Sequence, residues 1–289
     1  MTTSPLANPT ATRELLEAYG LATKHRLGQN FLVDNHVIER IMQLAALDPA
    51  DRVLEVGPGI GTLTLALLQE AAHVTSIEMD DELEPVLRAH AAAHDNFSFL
   101  MGDALTVPAD RVAWVSGGDP GILVANLPYN VAATIILQFF QERPSLRAAV
   151  VMVQKEVADR IAAAPGTKAY GAYTAKLALY GQVTGRFEVP PRCFRPAPHV
   201  DSAVVRIDRR PGSGEGALLL PQGLTRADVA RVIDAAFTQR RKTIRNSMSA
   251  AGFDKAALDA AFAACCIAPT VRGESLAPAD FVGLAEALA

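Results

Sequence analysis

Short apolar runs alternate with stretches of helical periodicity through the first two thirds of the chain. Runs at 52–56, 73–79, 97–101, 121–125 and 148–153 predict strands, and segments starting at 62 and spanning 81–93, 131–141 and 156–163 predict helices. Regular strand–helix alternation implies a parallel sheet covered on both faces. Two later apolar segments, 180–189 and 202–208, have no clear helix between them, which predicts an antiparallel pair at the sheet edge. The pattern changes after Arg210. Pro211-Gly212-Ser213-Gly214-Glu215-Gly216 has linker composition. Beyond it, Thr225 caps a helix with Asp228 at capping-box spacing, and Val229, Ile233 and Phe237 recur at helical intervals. Further helices are expected at 257–264 and 280–288. The expected organisation is an α/β domain over 1–210, with 1–12 disordered, and a small all-helical domain over 211–289.

The first strand runs into Glu55-Val56-Gly57-Pro58-Gly59-Ile60-Gly61. Glycines at 57, 59 and 61 let the chain turn sharply and let backbone N–H groups approach a ligand. Such a triplet alone often only makes a loop; its place between strand and helix favours a ligand. Glu78 ends the next strand and is placed to bind both hydroxyls of a ribose. Asp103, in Met101-Gly102-Asp103-Ala104, is placed to meet an adenine amine. The plainer reading of either acid is surface charge. Gly57, Glu78, Asp103 and Asn126 nevertheless all fall at carboxyl ends of successive strands, the edge where open α/β sheets bind ligands. The spacing departs from the G-x-G-x-x-G of dinucleotide enzymes, which favours a cofactor without a pyrophosphate, S-adenosylmethionine, over NAD. Glu55 either helps position the amino-acid end of the cofactor or only orders the turn.

The strand at 121–125 leads into Asn126-Leu127-Pro128-Tyr129. An adenine amine is a poor nucleophile because its lone pair is delocalised into the ring. Two acceptors set against its N–H bonds would draw it toward tetrahedral geometry. The carboxamide oxygen of Asn126 supplies one and the Leu127 carbonyl the other, with Pro128 stiffening the loop. Tyr129 offers a flat face for the base, worth ~1–3 kcal/mol. The alternative is an ordinary turn, since Asn-x-Pro combinations commonly start turns. The glycine turn and the two placed acids shift the balance toward methyl transfer onto a nucleobase amine.

Composition limits the remaining classes. The 289 residues are half hydrophobic, with no apolar run of the ~18–20 residues that spans a bilayer, and the N-terminus lacks a signal-peptide pattern. Cys193, Cys265 and Cys266 are odd in number and lack metal-ligand spacing, so they read as reduced thiols of a cytoplasmic protein without a metal site. The net charge of −4 argues mildly against a nucleic-acid partner. Local charge matters more. Residues 239–246 carry four cations and no acid, six arginines lie within 186–210, and Lys24-His25-Arg26 forms a smaller basic start. Each is either solvated surface or part of a phosphate-binding face.

Taken together, these motifs resemble the bacterial small-subunit rRNA adenine dimethyltransferases. The resemblance is carried by residues 24–32, the 55–61 turn, Ile77-Glu78-Met79-Asp80, Gly102-Asp103-Ala104 and Asn126-Leu127-Pro128-Tyr129-Asn130. It continues through Gln154-Lys155-Glu156-Val157, residues 194–202 and residues 239–247. It implies a Rossmann-like S-adenosylmethionine-dependent methyltransferase sheet with a small C-terminal helical domain. The implied reaction is dimethylation of N6 of two adjacent adenosines near the 3′ end of 16S rRNA. The implied partner is a partly assembled small ribosomal subunit, and the protein is taken as a monomer with no membrane association. Asn30, Leu32, Gly57, Gly59, Glu78, Asp103 and Asn126 would contact the cofactor. Phe194 would close over the adenine opposite Tyr129; its plainer reading is core packing beside three prolines. His199 stands where many relatives carry lysine. Lys24 to Asn30 would be a mobile lid or an ordinary arm. Arg240, Arg241, Lys242 and Arg245 would open a helix and grip rRNA phosphates. The rivals are a large-subunit adenine methyltransferase of the macrolide-resistance type, a non-catalytic RNA-binding assembly factor, and an NAD enzyme.

Overall fold

A computed structural model describes residues 2–21, 29–212 and 218–289. In chain order the elements are α1 (Pro9–Ala18), β1 (Phe31–Leu32), α2 (Asn35–Ala45), β2 (Arg52–Val56), α3 (Thr62–Leu67), β3 (His73–Glu78) and α4 (Glu84–Ala93). Next come β4 (Phe97–Met101), α5 (Ala109–Ser116), β5 (Ile122–Asn126), α6 (Ala132–Glu142), β6 (Ala148–Gln154), α7 (Lys155–Ile161) and α8 (Ala172–Leu177). They are followed by β7 (Gly181–Val189), β8 (Phe194–Arg195), β9 (Ser202–Arg209), α9 (Arg226–Phe237), α10 (Ile244–Ala250), α11 (Lys255–Ala264) and α12 (Pro278–Ala287). Two compact units result. One comprises Met1–Ala158 with Val183–Arg209, the other Asp159–Gln182 with Arg210–Ala289.

The first unit is built on a seven-stranded sheet in the order β4-β3-β2-β5-β6-β9-β7. The five expected strands β2 to β6 pair in parallel. Their residues are largely buried, as fits strands covered on both faces. β9 runs antiparallel to β6, with Gln154 opposite Ser202, and β7 lies beyond β9 at the edge. On β7 exposed and half-buried residues alternate, as on a strand with one wet face. The chain steps outward from β2 through β3 to β4, then returns to β5 on the other side of β2. The direction of winding therefore reverses between β2 and β5, and a crevice opens at their carboxyl ends.

The start of the chain departs from expectation. Residues 2–12 are tied to the first unit rather than disordered. The Ser4 N–H donates to Asn35 Oδ1 at 2.8 Å, and Gln69 Nε2 donates to the Thr3 carbonyl at 2.7 Å. Leu6 packs with Phe31, Ile60 and Leu83. Asn8 caps α1 through two backbone N–H groups. Burying one leucine stabilises by about 1.5–3 kcal/mol, and the cap and the two hydrogen bonds to Asn35 and Gln69 add to it.

The boundary read at residue 211 also differs from the structure. Tyr170, Ala175 and Leu179 pack with Val229, Ile233, Phe262 and Phe281, so residues 159–182 belong with the helices that follow Arg210. The Tyr170 hydroxyl donates to the Leu276 carbonyl at 2.9 Å. In this second unit Thr225 and Asp228 form the expected capping box of α9. Part of the linker, 213–217, lies outside the described residues, as do residues 24–28 of the expected lid.

Candidate active site

A cavity of about 320 Å³ opens at the carboxyl ends of β2, β3 and β5, within the size range of small-ligand sites. Its walls include Asn30, Leu32, Gly57, Gly59, Glu78, Asp103 and Asn126, together with Leu127, Pro128 and Tyr129. The expected residues of the first unit thus converge on one space, with Phe194 as the exception. Phe194 pairs with Leu32 between β8 and β1 and is fully enclosed in the main core cluster. It does not line the cavity, so the expectation that it closes over a base is corrected to core packing. The apolar contacts of Leu32, Val189 and Cys193 in the same cluster hold its ring there.

The glycine turn is shaped by its neighbours. Gly57, Gly59 and Gly61 all take positive φ. A Cβ at Gly59 would come within 3.1 Å of the Phe31 ring, and one at Gly61 within 2.8 Å of His90 Nε2. His90 Nε2 also lies 3.0 Å from the Ile60 carbonyl, and burial pushes the His90 imidazole below its usual range. The turn is packed from both sides, which fixes where its N–H groups point.

Glu55 is completely buried at the cavity wall. Thr64 Oγ1 and Ser76 Oγ both donate to its Oε2 at 2.7 Å. Burial outweighs these bonds and pushes the carboxyl up to about 7. Neither partner carried a motif signal, although Ser76 stands opposite Glu55 in the β2–β3 register. Glu78 accepts from the Gly59 N–H at 3.1 Å through Oε2, and from the Met79 and Asp80 N–H groups at 2.8 and 2.9 Å through Oε1. A carboxylate has about four acceptor positions; among the described residues the one still open is on Oε2. Burial raises this carboxyl too. Asp103 Oδ1 takes the Leu105 N–H at 2.9 Å, closing the loop after β4.

Asn126 Nδ2 donates to the Asn30 carbonyl at 3.4 Å, which turns Oδ1 the other way. The Leu127 N–H goes to the Met152 carbonyl at 3.1 Å and the Val131 N–H to the Pro128 carbonyl at 3.2 Å. No described backbone N–H reaches the Leu127 carbonyl. Tyr129 Oη lies 2.5 Å from Ser202 Oγ, and burial raises the phenol above its usual range. Ser202 lies within the 194–202 motif, yet sequence reasoning gave it no role. Gln29, Thr62 and Asp80 also line the wall, although sequence reasoning gave none of them a role of its own. Gln29 Nε2 donates to Asp80 Oδ2 at 2.7 Å. Thr62 Oγ1 is buried with no hydrogen-bond partner among the described residues.

The basic segment lies in the second unit, mostly ahead of a helix rather than opening one: α10 starts at Ile244, capped by the Thr243 side chain. Arg245 is committed to Asp259 through two bonds of 2.6 and 2.7 Å. Arg240 reaches Glu274 at 3.5 Å and the Lys168 carbonyl. Arg241 and Lys242 are exposed and make no ion pair among the described residues. No described helix is long and apolar enough to cross a membrane.

Comparison with known proteins adds an independent line. A family model described as ribosomal RNA adenine dimethylase matches residues 20–289. A protein of Thermobifida fusca named ribosomal RNA small subunit methyltransferase A is 42% identical over 281 residues, covering 97% of this chain and 96% of the relative. A protein of the same name from Cutibacterium acnes is 42% identical over 295 residues, covering 100% of this chain and 96% of the relative. Among solved structures, a dimethyladenosine transferase from Plasmodium falciparum superposes with TM-score 0.73 at 24% identity, over 88% of this chain and 95% of the other, a likeness of fold. The 23S rRNA methyltransferase ErmE gives TM-score 0.66 at 28% identity, over 90% of this chain and 99% of the other.

Proposed function

The chain belongs to the ribosomal RNA adenine dimethylase family, and on that footing we propose that it dimethylates N6 of two adjacent adenosines near the 3′ end of 16S rRNA, using S-adenosylmethionine. The observation that carries the reading is the convergence, in one cavity, of the glycine turn, the acids after β3 and β4, and the Asn126–Tyr129 loop. The relatives named for the small-subunit RNA, similar over nearly their whole length, favour 16S over 23S rRNA as substrate.

The walls fit the cofactor. Glu55, Glu78 and Asp103 are acceptors suited to a ligand bearing amine, hydroxyl and positive charge; they are poorly suited to a pyrophosphate. Thr62 Oγ1, buried and unpartnered among the described residues, matches the polar amino-acid end of such a ligand, because buried hydroxyls rarely go without a hydrogen bond. Glu78 would accept from a ribose hydroxyl through its open Oε2 position, and Asp103 from the adenine amine. Asn30, Leu32, Gly57 and Gly59 would complete the contact, and Glu55 would face the cationic end. When bound, S-adenosylmethionine supplies a methyl group already activated on sulfur.

The residues around the target then have to align rather than activate strongly. Asn126 Oδ1 and the Leu127 carbonyl would accept from the two N–H bonds of the amine and free its lone pair. Pro128 keeps the loop stiff, and the Tyr129 ring supports the base. The proton leaves as or after the new bond forms, so no strong base is required. The helical second unit would hold rRNA in a partly assembled small subunit through Arg241 and Lys242, with Arg240 and Arg245 bracing the segment. The protein acts as a cytoplasmic monomer in this reading.

The test is incubation with undermethylated small subunits and labelled methyl donor, followed by nucleoside mapping and primer extension across both rRNAs. Label in two neighbouring dimethyladenosines near the 3′ end of 16S rRNA is expected. Label in 23S rRNA alone, or none, overturns the proposal.

A further inference from the structure

The loop after β5 is tied to the sheet at two points. The Leu127 N–H is held by the Met152 carbonyl on β6, and Tyr129 Oη lies 2.5 Å from Ser202 Oγ on β9. Those anchors belong to neighbouring positions of one ladder, since Met152 faces Val204 and Gln154 faces Ser202. Ser202 is fully buried, and its hydroxyl makes no other hydrogen bond among the described residues. A buried serine with this single partner has little reason to be polar other than that partner. The phenol oxygen lies on the axis about which the ring rotates. Holding it therefore fixes the direction of that axis and stops the ring from swinging, while the packing around the ring sets its rotation about the axis.

We propose that Ser202 is a positioning residue for the target base: by anchoring the tip of Tyr129 it sets the place and axis direction of the ring on which the adenine lies. The proposal rests on the reading of Tyr129 as the support for the base. Phenylalanine at 129 would offer the same face without the anchor. It would also leave the Ser202 hydroxyl buried and unpaired. Removing either oxygen therefore removes the same device. The consequence falls on alignment of the bound amine, hence on kcat, and leaves the cofactor contacts untouched.

The experiment compares Ser202→Ala, Tyr129→Phe, the double variant and Tyr129→Ala, using undermethylated small subunits for kcat and KM and calorimetry for donor affinity. Ser202→Ala and Tyr129→Phe are each expected to lower kcat about two- to tenfold, the range of one net hydrogen bond. KM and donor affinity should stay near wild type, and the double variant should be no worse than either single change. Additive losses, or wild-type kcat in Ser202→Ala while Tyr129→Ala is impaired, overturn the positioning role and leave the support role of Tyr129 standing. A fully active Tyr129→Ala overturns both. If Ser202→Ala does not fold, Tyr129→Phe reads the same bond from its other end.

Discussion

Asn126 gives a side-chain N–H to the backbone carbonyl of Asn30, 96 positions earlier in the chain, at 3.4 Å. The contact joins the segment before β1 to the loop after β5 and presents Oδ1 of the amide as an acceptor. Asn126→Ala is expected to reduce methyl transfer by at least about a hundredfold, the scale of removing one preorganised polar group from a reacting centre. Asn126→Asp keeps an acceptor but loses the N–H and sets a carboxylate against a carbonyl, so it too should lose most activity. Single-turnover transfer of labelled methyl groups measures both, with folding and RNA binding retained as controls. Near-wild-type transfer by Asn126→Asp would show that the contact to Asn30 does not orient the amide.

Gly61→Ala should destabilise the protein by roughly 2 kcal/mol or more, since alanine resists positive φ and its Cβ would collide with His90 Nε2. His90→Ala in the same chain should recover only part of the loss, because the backbone strain remains. Urea unfolding of Gly61→Ala, His90→Ala and the double variant separates the two contributions. Full recovery would assign the whole cost to the collision.

Burial holds Glu55 neutral up to about pH 7 in the folded protein, whereas an ordinary glutamate ionises near 4.5. Between those values the folded state binds the extra proton. Stability from this group is therefore greatest at low pH and falls as pH rises through the window, by up to ~3 kcal/mol. The stability of wild type relative to Glu55→Gln should decline between pH 5 and pH 8. A flat difference would mean that Glu55 is already ionised in the fold.

Charge reversal of Arg241 and Lys242 together should weaken RNA binding and reduce the steepness of its salt dependence by about two counter-ions. Arg245→Ala should leave that slope nearly unchanged, because its guanidinium is spent on Asp259. Binding to 16S rRNA fragments across a salt series gives the slopes. Equal changes from all three positions would indicate that Arg245 leaves Asp259 when RNA binds.

The periodicity of 52–56, 121–125 and 148–153 is enough to find β2, β5 and β6, because strands buried on both faces must be apolar throughout. The same logic places Gly57, Glu78, Asp103 and Asn126 at strand ends. Asp34 followed by Val37, Ile38, Ile41 and Met42 is an equally plain signal for α2 that the reading passed over. α5 offered less: two of its eight residues are buried and no side chain caps it.

What the chain alone determines is therefore local and periodic: which segments fold as strands or helices, and which chemistry sits where a strand ends. What only the folded molecule decides is pairing between distant residues. Phe194 belongs to the core, Ser202 to Tyr129, Ser76 and Thr64 to Glu55, and residues 159–182 to the helical unit. The physical reason is that hydrogen bonds and apolar contacts act over a few ångströms of space, and sheet order, not sequence order, sets which side chains come that close.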